Sequence, residues 1–387
     1  MLISTARGSV VALLDSTGKP RSGWPVALND MGCELPAAAT DGSIRLVCSA
    51  YPDPGPRAYA LTPGGRSIAG WPVELPAAGN SVVVDRDLYV MASDPADPHA
   101  LRLAAVTPAG TVRTGMPVKT PDFVYQDSYA QLGPDGTGYL LAYPNAATGD
   151  TEITAFDLAG ARAGWLVRVK GRPFGLAFGP DGLIYATEGQ EGERPSRILV
   201  FDHDGRPLPI GSEALPVVAT SAYQGAGPFG GPPPPVVAED GTTYLVSEEG
   251  GTTVYGLDAS GNVIEGWPYR DSVGLQWSYS PPGETGGSSR RFAPAVGPGD
   301  VLYLLHPPRA ATLGGSIVAV DLDGRVRSGW PVELKRPGAE FWSVVVGPEG
   351  TIYALAIEPE AGDTSSASIL AIAPDSTVRW TTTIIEP

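Results

Sequence analysis

Three polar residues occupy one place in three successive repeats of this 387-residue chain, each three positions after a tyrosine: Glu188, Ser247 and His306. An acid, a serine and a histidine can form a nucleophilic triad, but only when neighbouring side chains lie about 3 Å apart. Equivalent positions in adjacent repeats should be too far apart for such hydrogen bonds. We therefore expect no triad, and these residues either contact a polar ligand or are solvated strand ends.

A second set of residues lies in the long segments between repeats, where aromatic rings can stack on a ligand and arginines can hold its acidic groups. The aromatic residues are Tyr125, Tyr129, Phe174, Trp277, Tyr279, Phe341 and Trp342. The charged residues are Asp127, Arg172, Arg290, Arg291 and Glu340. Such groups can also perform acid–base catalysis on a glycan, but no spacing among them is diagnostic of it. We predict that they contact a ligand, and we assign no catalytic residue.

Metal and thiol chemistry have little support in the sequence. The two cysteines, Cys33 and Cys48, are too few for a disulfide framework and lie in no zinc-binding pattern, so they form either one disulfide or two free thiols. The segments FDHDG and DLDGR begin like calcium loops, but Arg-Pro and Arg-Val follow where further oxygen ligands are needed. We expect no metal and no cofactor.

An internal repeat, exemplified by AVDLDGRVRSGWPVEL at residues 319–334, must position these residues. The repeat occurs in eight copies. The residues aligned with the first Asp of its Asp-x-x-Gly turn are Asp15, Thr62, Thr107, Asp157, Asp202, Asp258, Asp321 and Ala373. A period of roughly 40–50 residues is typical of a four-stranded propeller blade. Between copies lie a short apolar run, a tight turn and a strand with tyrosine. Each unit is thus predicted to contain strands A to D, with tyrosine on B and tryptophan on D.

The repeated tryptophans favour a structural interpretation. Trp24, Trp71, Trp267 and Trp330 each follow the glycine of the repeat by six residues. A large flat side chain at one place on an outer strand can pack between blades, against a small strand C residue such as Gly256. We predict that these tryptophans are buried between blades and do not stack on a ligand.

These features resemble the quinoprotein-like (PQQ-like) β-propeller repeat, whose tryptophan-docking motif runs Ala-x-Asp, a turn glycine and a tryptophan. The resemblance covers almost the whole chain and implies one all-β domain, an eight-bladed β-propeller of four-stranded antiparallel blades, the first lacking its inner strand. The expected blades are approximately residues 1–28, 37–75, 80–119, 129–169, 175–215, 234–270, 292–335 and 342–387. We expect the chain to be trimmed from a longer protein. The repeat occurs in dehydrogenases, assembly lipoproteins and kinase sensor domains, so the fold does not fix the function.

Propeller ligands tend to bind at the channel mouth, on the face built by the D-to-A and B-to-C loops, as the resemblance implies. The loops before the sixth and seventh expected blades are far longer than a hairpin needs, which is typical of functional loops. We predict that expected blades five to eight carry the binding face and that the loop aromatics converge there.

Composition limits the partners. The net charge is −16 with no basic cluster, which argues against nucleic acid. No apolar run reaches the roughly 18 residues of a membrane span, so we expect no membrane insertion. The start, MLISTARGSVV, lacks the zones of a signal peptide. Low lysine content, the possible disulfide and the resemblance still favour a periplasmic or extracellular location.

We predict a monomeric, noncatalytic binding, sensor or scaffold propeller that recognises a glycan, peptide or protein partner. The support is the lack of a catalytic signature in a chain with three histidines and two cysteines. The alternative is a secreted polysaccharide lyase or glycoside hydrolase with its site at the channel mouth. A quinone-dependent dehydrogenase is disfavoured because the adjacent cysteine pair and long catalytic insertions of that family are missing.

Overall fold

All regular secondary structure in the described part of the chain is β-strand. The structure is a computed structural model that describes residues 2–5, 8–30, 32–34, 36–48, 55–76, 80–119, 128–142, 150–170, 176–179, 182–188, 197–209, 235–247, 251–275, 294–359 and 365–385. These ranges hold strands β1 to β33 and no helix, and therefore no helix able to cross a membrane. The chain divides into two compact units, Met1–Lys170 and Gly171–Pro387.

The first unit contains a three-stranded amino-terminal sheet and blades 1 to 3. The amino-terminal sheet has β1 (Leu2–Thr5), β2 (Gly8–Val11) and β3 (Val26–Leu28). Blade 1 has β4 (Ala37–Ala38), β5 (Ile44–Cys48), β6 (Arg57–Leu61) and β7 (Val73–Glu74). Blade 2 has β8 (Asn80–Val84), β9 (Asp87–Asp94), β10 (Asp97–Val106), β11 (Val112–Thr114) and β12 (Val118–Lys119). Blade 3 has β13 (Ser128–Leu132), β14 (Gly138–Ala142), β15 (Asp150–Asp157), β16 (Gly160–Ala161) and β17 (Val167–Lys170).

The second unit contains blades 4 to 7, each a four-stranded sheet in sequence order. Blade 4 has β18 (Leu176–Phe178), β19 (Ile184–Glu188), β20 (Arg197–Phe201) and β21 (Pro207–Leu208). Blade 5 has β22 (Val236–Val237), β23 (Thr243–Ser247), β24 (Thr252–Leu257) and β25 (Tyr269–Asp271). Blade 6 has β26 (Ala295–Gly297), β27 (Val301–His306), β28 (Ser316–Val320) and β29 (Val332–Glu333). Blade 7 has β30 (Glu340–Val346), β31 (Ile352–Pro359), β32 (Ser365–Ile372) and β33 (Val378–Ile385).

The fold is all-β, but the expected eight-bladed propeller is wrong, because the propeller has seven blades. Seven sheets have four or five strands, whereas the first repeat forms only the three-stranded sheet β1–β2–β3. The repeat count was based on the Asp-x-x-Gly turn and the tryptophan, which the first repeat contains. A blade also needs an inner strand, and within the described ranges none pairs with β1 on the side away from β2.

The repeat turns form because an aspartate side chain satisfies the turn backbone. Asp258 Oδ1, for example, accepts hydrogen bonds from the N–H groups of Ser260 and Asn262, both at 2.9 Å. Gly261 next to them has a φ of +82°, a conformation that glycine adopts without steric cost. The turns thereby reverse the chain between strands C and D at the same place in successive repeats.

Neighbouring blades are joined by the repeated tryptophans, which confirms their predicted position. The indole N–H of Trp24 donates to the carbonyl of Pro63 at 2.9 Å, and that of Trp71 to the carbonyl of Pro108 at 3.1 Å. In the second unit, Trp267 donates to the carbonyl of Leu322 at 2.6 Å. Each acceptor lies in the strand C to strand D turn of the following blade. Each tryptophan is 7% exposed, so the rings bury most of their area in these interfaces.

The Gly-Trp pair of the repeat also lets the two backbones approach. A Cβ atom at Gly266 would lie 2.2 Å from the carbonyl oxygen of Asp323 in the next turn. Trp267 then covers Gly256 on strand C of its own blade, where a Cβ atom would lie 2.7 Å from the indole ring. The repeat therefore has glycine directly before tryptophan. The glycine allows the backbones of two neighbouring blades to approach, and the tryptophan ring fills the interface between them.

Candidate functional site

Most of the predicted ligand contacts lie outside the described residues. These are Tyr125, Asp127, Arg172, Phe174, Trp277, Tyr279, Arg290 and Arg291. The strand positions of two others are described: Tyr129 lies in β13 opposite Leu141, and Glu188 ends β19 opposite Arg197. The predicted convergence of the loop aromatics therefore stays a prediction.

Phe341 is in the core and not on the predicted binding face. Its side chain is 0% exposed and belongs to an apolar cluster that includes Tyr303, Ile317 and Ile352. The segment was expected to be a loop, but β30 already begins at Glu340 and directs Phe341 into the interface of blades 6 and 7. Trp342 and Glu340 are half-buried, and Trp342 is the additional residue of a β-bulge against β31.

His306 is also fully buried, so it is not a solvated strand end. It ends β27, and its Nδ1 lies 3.1 Å from the carbonyl oxygen of Gly274 in the segment after β25. Because a carbonyl only accepts hydrogen bonds, Nδ1 carries the proton of the neutral ring. The Nε2 atom is buried and has no hydrogen-bond partner among the described residues. Burial lowers the pKa of His306 below its ordinary value, more than the Gly274 carbonyl and the charge of Asp271 raise it.

A network centred on Asp271 lies beside this histidine. Asp271 Oδ2 accepts hydrogen bonds from the guanidinium of Arg309 at 2.6 Å and from the hydroxyl of Tyr269 at 3.1 Å. Its Oδ1 accepts the backbone N–H of Val273 at 2.9 Å. Burial alone would raise the pKa of Asp271, but the Val273 N–H, the charge of Arg309 and, once its ring is protonated, the charge of His306 lower it below the ordinary value. Burial, followed by the charge of Asp271, raises the pKa of Tyr269.

The same contacts fix the beginning of the long connection between blades 5 and 6. We call residues 271–275 the loop stem. Thr252 Oγ1 donates to the carbonyl of Val273 at 2.7 Å, and His306 holds the carbonyl of Gly274 from the side of blade 6. Arg309, in the B-to-C loop of blade 6, completes the connection through Asp271. The stem is therefore bound to its own blade by Thr252 and to the next blade by His306 and Arg309.

Sequence analysis missed Tyr269, Asp271 and Arg309. A detectable signal was present, because Tyr-Arg-Asp directly precedes one of the two long loops and an arginine follows Pro-Pro at the same edge of the next repeat. The two segments are 38 residues apart in sequence, so spacing alone could not pair them.

A related arrangement occurs in the first unit. The buried carboxylate of Asp30 accepts the hydroxyl of Tyr59 at 2.6 Å and lies 3.4 Å from the guanidinium of Arg57. Burial and the hydrogen bond to Asp30 raise the pKa of Tyr59 to about 12. Cys33 and Cys48 form a disulfide there, so the first of the two alternatives for these thiols is observed. Cys48 has the strand position of His306, and both residues tie the end of strand B to the segment that precedes the blade.

The described side chains offer no assembled metal centre. Among residues in the ranges given above, no three His, Cys, Asp or Glu side chains lie close enough together to hold a metal ion. Asp271 of the stem is instead paired with Tyr269 and Arg309. Among the described residues, the lone pair on His306 Nε2 in this network is without a hydrogen-bond partner. This arrangement can hold a loop in one position and can offer a hydrogen-bond acceptor.

Comparison with known proteins shows the fold. No family model and no curated protein matches the chain. Among solved structures, dihydro-heme d1 dehydrogenase NirN in complex with DHE is 13% identical, with 99% of this chain and 72% of that chain covered and a TM-score of 0.55. A eukaryotic initiation factor is 10% identical, with 99% and 95% covered and a TM-score of 0.52. The β-propeller domain of the Trilobed protease from Pyrococcus furiosus is 9% identical, with 90% and 97% covered and a TM-score of 0.49. At these identities the likeness extends to the fold alone, and the chain is a β-propeller.

Proposed function

We propose that this chain is a noncatalytic binding propeller with PQQ-like repeats, which recognises a glycan, peptide or protein partner through its D-to-A and B-to-C loops. The fixed loop stem is the observation that supports this proposal. Residues 271–275 are held by side chains from two blades, among them the buried Thr252 and His306. Loops on a rigid scaffold commonly carry binding residues.

The energetic argument concerns the cost of ordering the loop. Fixing the backbone of one residue costs about 1–2 kcal/mol, and binding must overcome whatever part of this cost remains. A stem that is already fixed lowers that cost for the residues that follow it. Those residues include Trp277, Tyr279, Arg290 and Arg291, whose types suit stacking and the binding of acidic groups.

An enzyme acting on polysaccharide is the second candidate, and one observation favours it. The neutral ring of His306 has a lone pair on Nε2 that no group in the described part of the chain uses, next to the Asp271, Tyr269 and Arg309 network. Such a lone pair can accept a proton from a substrate if the substrate reaches it. The two candidates differ in their products, because a binding propeller returns its ligand unchanged.

An exported location is part of the proposal. The disulfide between Cys33 and Cys48 supports it, because structural disulfides persist mainly in oxidising compartments.

The test is a thermal-shift screen against polysaccharides, oligosaccharides and cell-wall fragments, with the parent protein, Trp277→Ala and Met116→Ala. Met116 is 62% exposed in the tryptophan position of blade 2, so it serves as the control for loss of an exposed apolar side chain. We expect a ligand to raise the midpoint of the parent and of Met116→Ala but not of Trp277→Ala. Equal shifts in all three proteins would contradict the loop site. Product formation that requires Trp277 would favour the enzyme.

A further inference from the structure

His306 is a titratable group enclosed between two blades. It is 0% exposed at the end of β27, and it faces the loop stem. Among the described residues, the charged and titratable groups around it are Asp271 and Tyr269 on β25 and Arg309 in the B-to-C loop of blade 6. A buried histidine in contact with a loop stem couples the protonation of the ring to the position of the stem.

The hydrogen bonds determine what a second proton would do. Nδ1 already donates to Gly274, so a proton must add at Nε2, where the described residues offer no acceptor. The new N–H and its charge would be buried without a partner, which costs free energy. Asp271, the carboxylate whose charge acts on His306, already accepts hydrogen bonds from Arg309, Tyr269 and Val273. Protonated His306 must therefore remain unpaired or take Asp271 from groups that hold the stem.

We propose that protonation of His306 releases residues 271–275 from blade 6, so that acid weakens the binding site at this loop face. The proton-coupled movement stands on the geometry of the stem. Its regulatory role rests on the proposed function. A ligand bound at this face would be held at neutral pH and released in acid.

The direction of the pH dependence follows from the pKa values. Burial lowers the pKa of His306 in the closed stem below the ordinary value of 6.5. The released stem exposes the ring and binds the proton more readily, so the closed form is favoured above about pH 6.5 and is lost as the pH falls further. The opening constant should rise up to about tenfold per pH unit until His306 in the closed form also titrates. The pKa of Asp271 stays below 3.8 and that of Tyr269 above 10.0, so neither titrates between pH 5 and 7.5.

Spin labelling of the stem measures this movement without any ligand. Ser272 is exposed, and the native cysteines are paired, so Ser272→Cys introduces one reactive thiol for a nitroxide. We expect an immobilised electron paramagnetic resonance spectrum at pH 7.5. The ratio of mobile to immobile signal should rise up to about tenfold per pH unit below pH 6.5. A spectrum that does not change between pH 7.5 and 5 would overturn the proposal.

Matched variants assign the change to one ring. His306→Gln keeps a side-chain N–H donor but cannot titrate, so its spectrum should not change with pH. His203→Gln removes an exposed histidine of blade 4 and should leave the pH dependence as in the parent. A pH-dependent spectrum in His306→Gln would refute the role of His306.

A second stem variant and a titration of the parent protein keep the proposal testable if His306→Gln is destabilised. Thr252→Val removes another stem contact and should raise the mobile fraction at every pH while keeping the same dependence on pH. If His306→Gln does not fold at pH 7.5, the ring carbons of the histidines in the parent protein can be titrated by nuclear magnetic resonance. A His306 pKa at or above 6.5, or a mobility change that does not follow this titration, would overturn the proposal. Loss of ligand binding would refute the proposed function but would leave these spectra unchanged.

Discussion

At the scale of single residues, Arg45 departs furthest from the repeat. It occupies the strand B position where Tyr139, Tyr244 and Tyr303 pack on the tryptophan of their blade. Its guanidinium carbon lies 4.9 Å from the ring centroid of Trp71, and the side chain is fully buried. Within the described ranges its three guanidinium nitrogens have no hydrogen-bond partner, and burial lowers the pKa of the group below its ordinary value. Contact with the ring recovers part of the cost of burying this charge.

Arg45→Tyr should stabilise the protein. Replacing a poorly satisfied buried charge by a well-packed side chain commonly gains about 1–4 kcal/mol, and a tyrosine hydroxyl in this position can donate to the next turn, as Tyr244 does to the carbonyl of Asp300. Urea unfolding of the parent, Arg45→Tyr and the exposed control Arg86→Tyr would measure the effect. A lower midpoint for Arg45→Tyr would show that the guanidinium is satisfied by groups other than Trp71.

At the scale of the elements, the docking tryptophan links two blades through one ring and one hydrogen bond. Trp267 covers Gly256 in its own blade and donates to Leu322 in the next. Trp380 of blade 7 packs on Tyr353 with ring centroids 6.0 Å apart, but it lies in the continuous strand β33 and is only half-buried. Trp267 therefore represents a tryptophan that docks between blades, and Trp380 represents one that lies within a strand.

Trp267→Ala should cost about 3–5 kcal/mol, because it leaves a cavity and an unsatisfied carbonyl in a buried interface. Trp380→Ala should cost less, since less of its area is buried. Chemical denaturation of both variants measures the difference. Equal losses would indicate that the interface of blades 5 and 6 does not depend on the docking contact.

Sequence patterns predicted the elements better than the site. Turns and docking tryptophans depend on residues a few positions apart, so a repeat exposes them directly. Phe341 was misplaced because β30 starts earlier than its loop-like sequence suggested, and a strand alternates buried and exposed side chains. The network of Asp271 and Arg309 joins segments from two blades, and such a pairing is determined by the interface and not by local spacing.

At the scale of the whole molecule, each of the two compact units has its own link between the end of a strand B and the segment that precedes the blade. The first unit has the disulfide that ties the segment after the amino-terminal sheet to blade 1 across 15 residues of chain. The second unit has the hydrogen bonds of the loop stem at the equivalent strand position. The covalent link makes the stability of the first unit sensitive to reducing agents.

Cys33→Ala/Cys48→Ala should destabilise the first unit by about 3 kcal/mol, because the unfolded chain regains the freedom of a closed loop of this length. Thermal unfolding with and without reductant measures the effect. Reductant should lower the midpoint of the parent and leave the double variant unchanged. A parent midpoint that is insensitive to reductant, while the thiols are shown to be free, would contradict the assigned contribution.

The docking contact also gives each blade a direction. Trp71, Trp267 and Trp330 each donate from one blade to the turn of the blade that follows, and Trp24 donates in the same way from the amino-terminal sheet to blade 1, so the two sides of a blade are different surfaces. Such head-to-tail interfaces are heterologous, and they allow a blade to be followed by any blade with the same turn. Gene duplication of one whole repeat would therefore copy a donor together with its acceptor, whereas a cut inside a repeat would separate them. The segment that keeps one donor and one acceptor together is therefore the whole interval from one docking turn to the next docking turn.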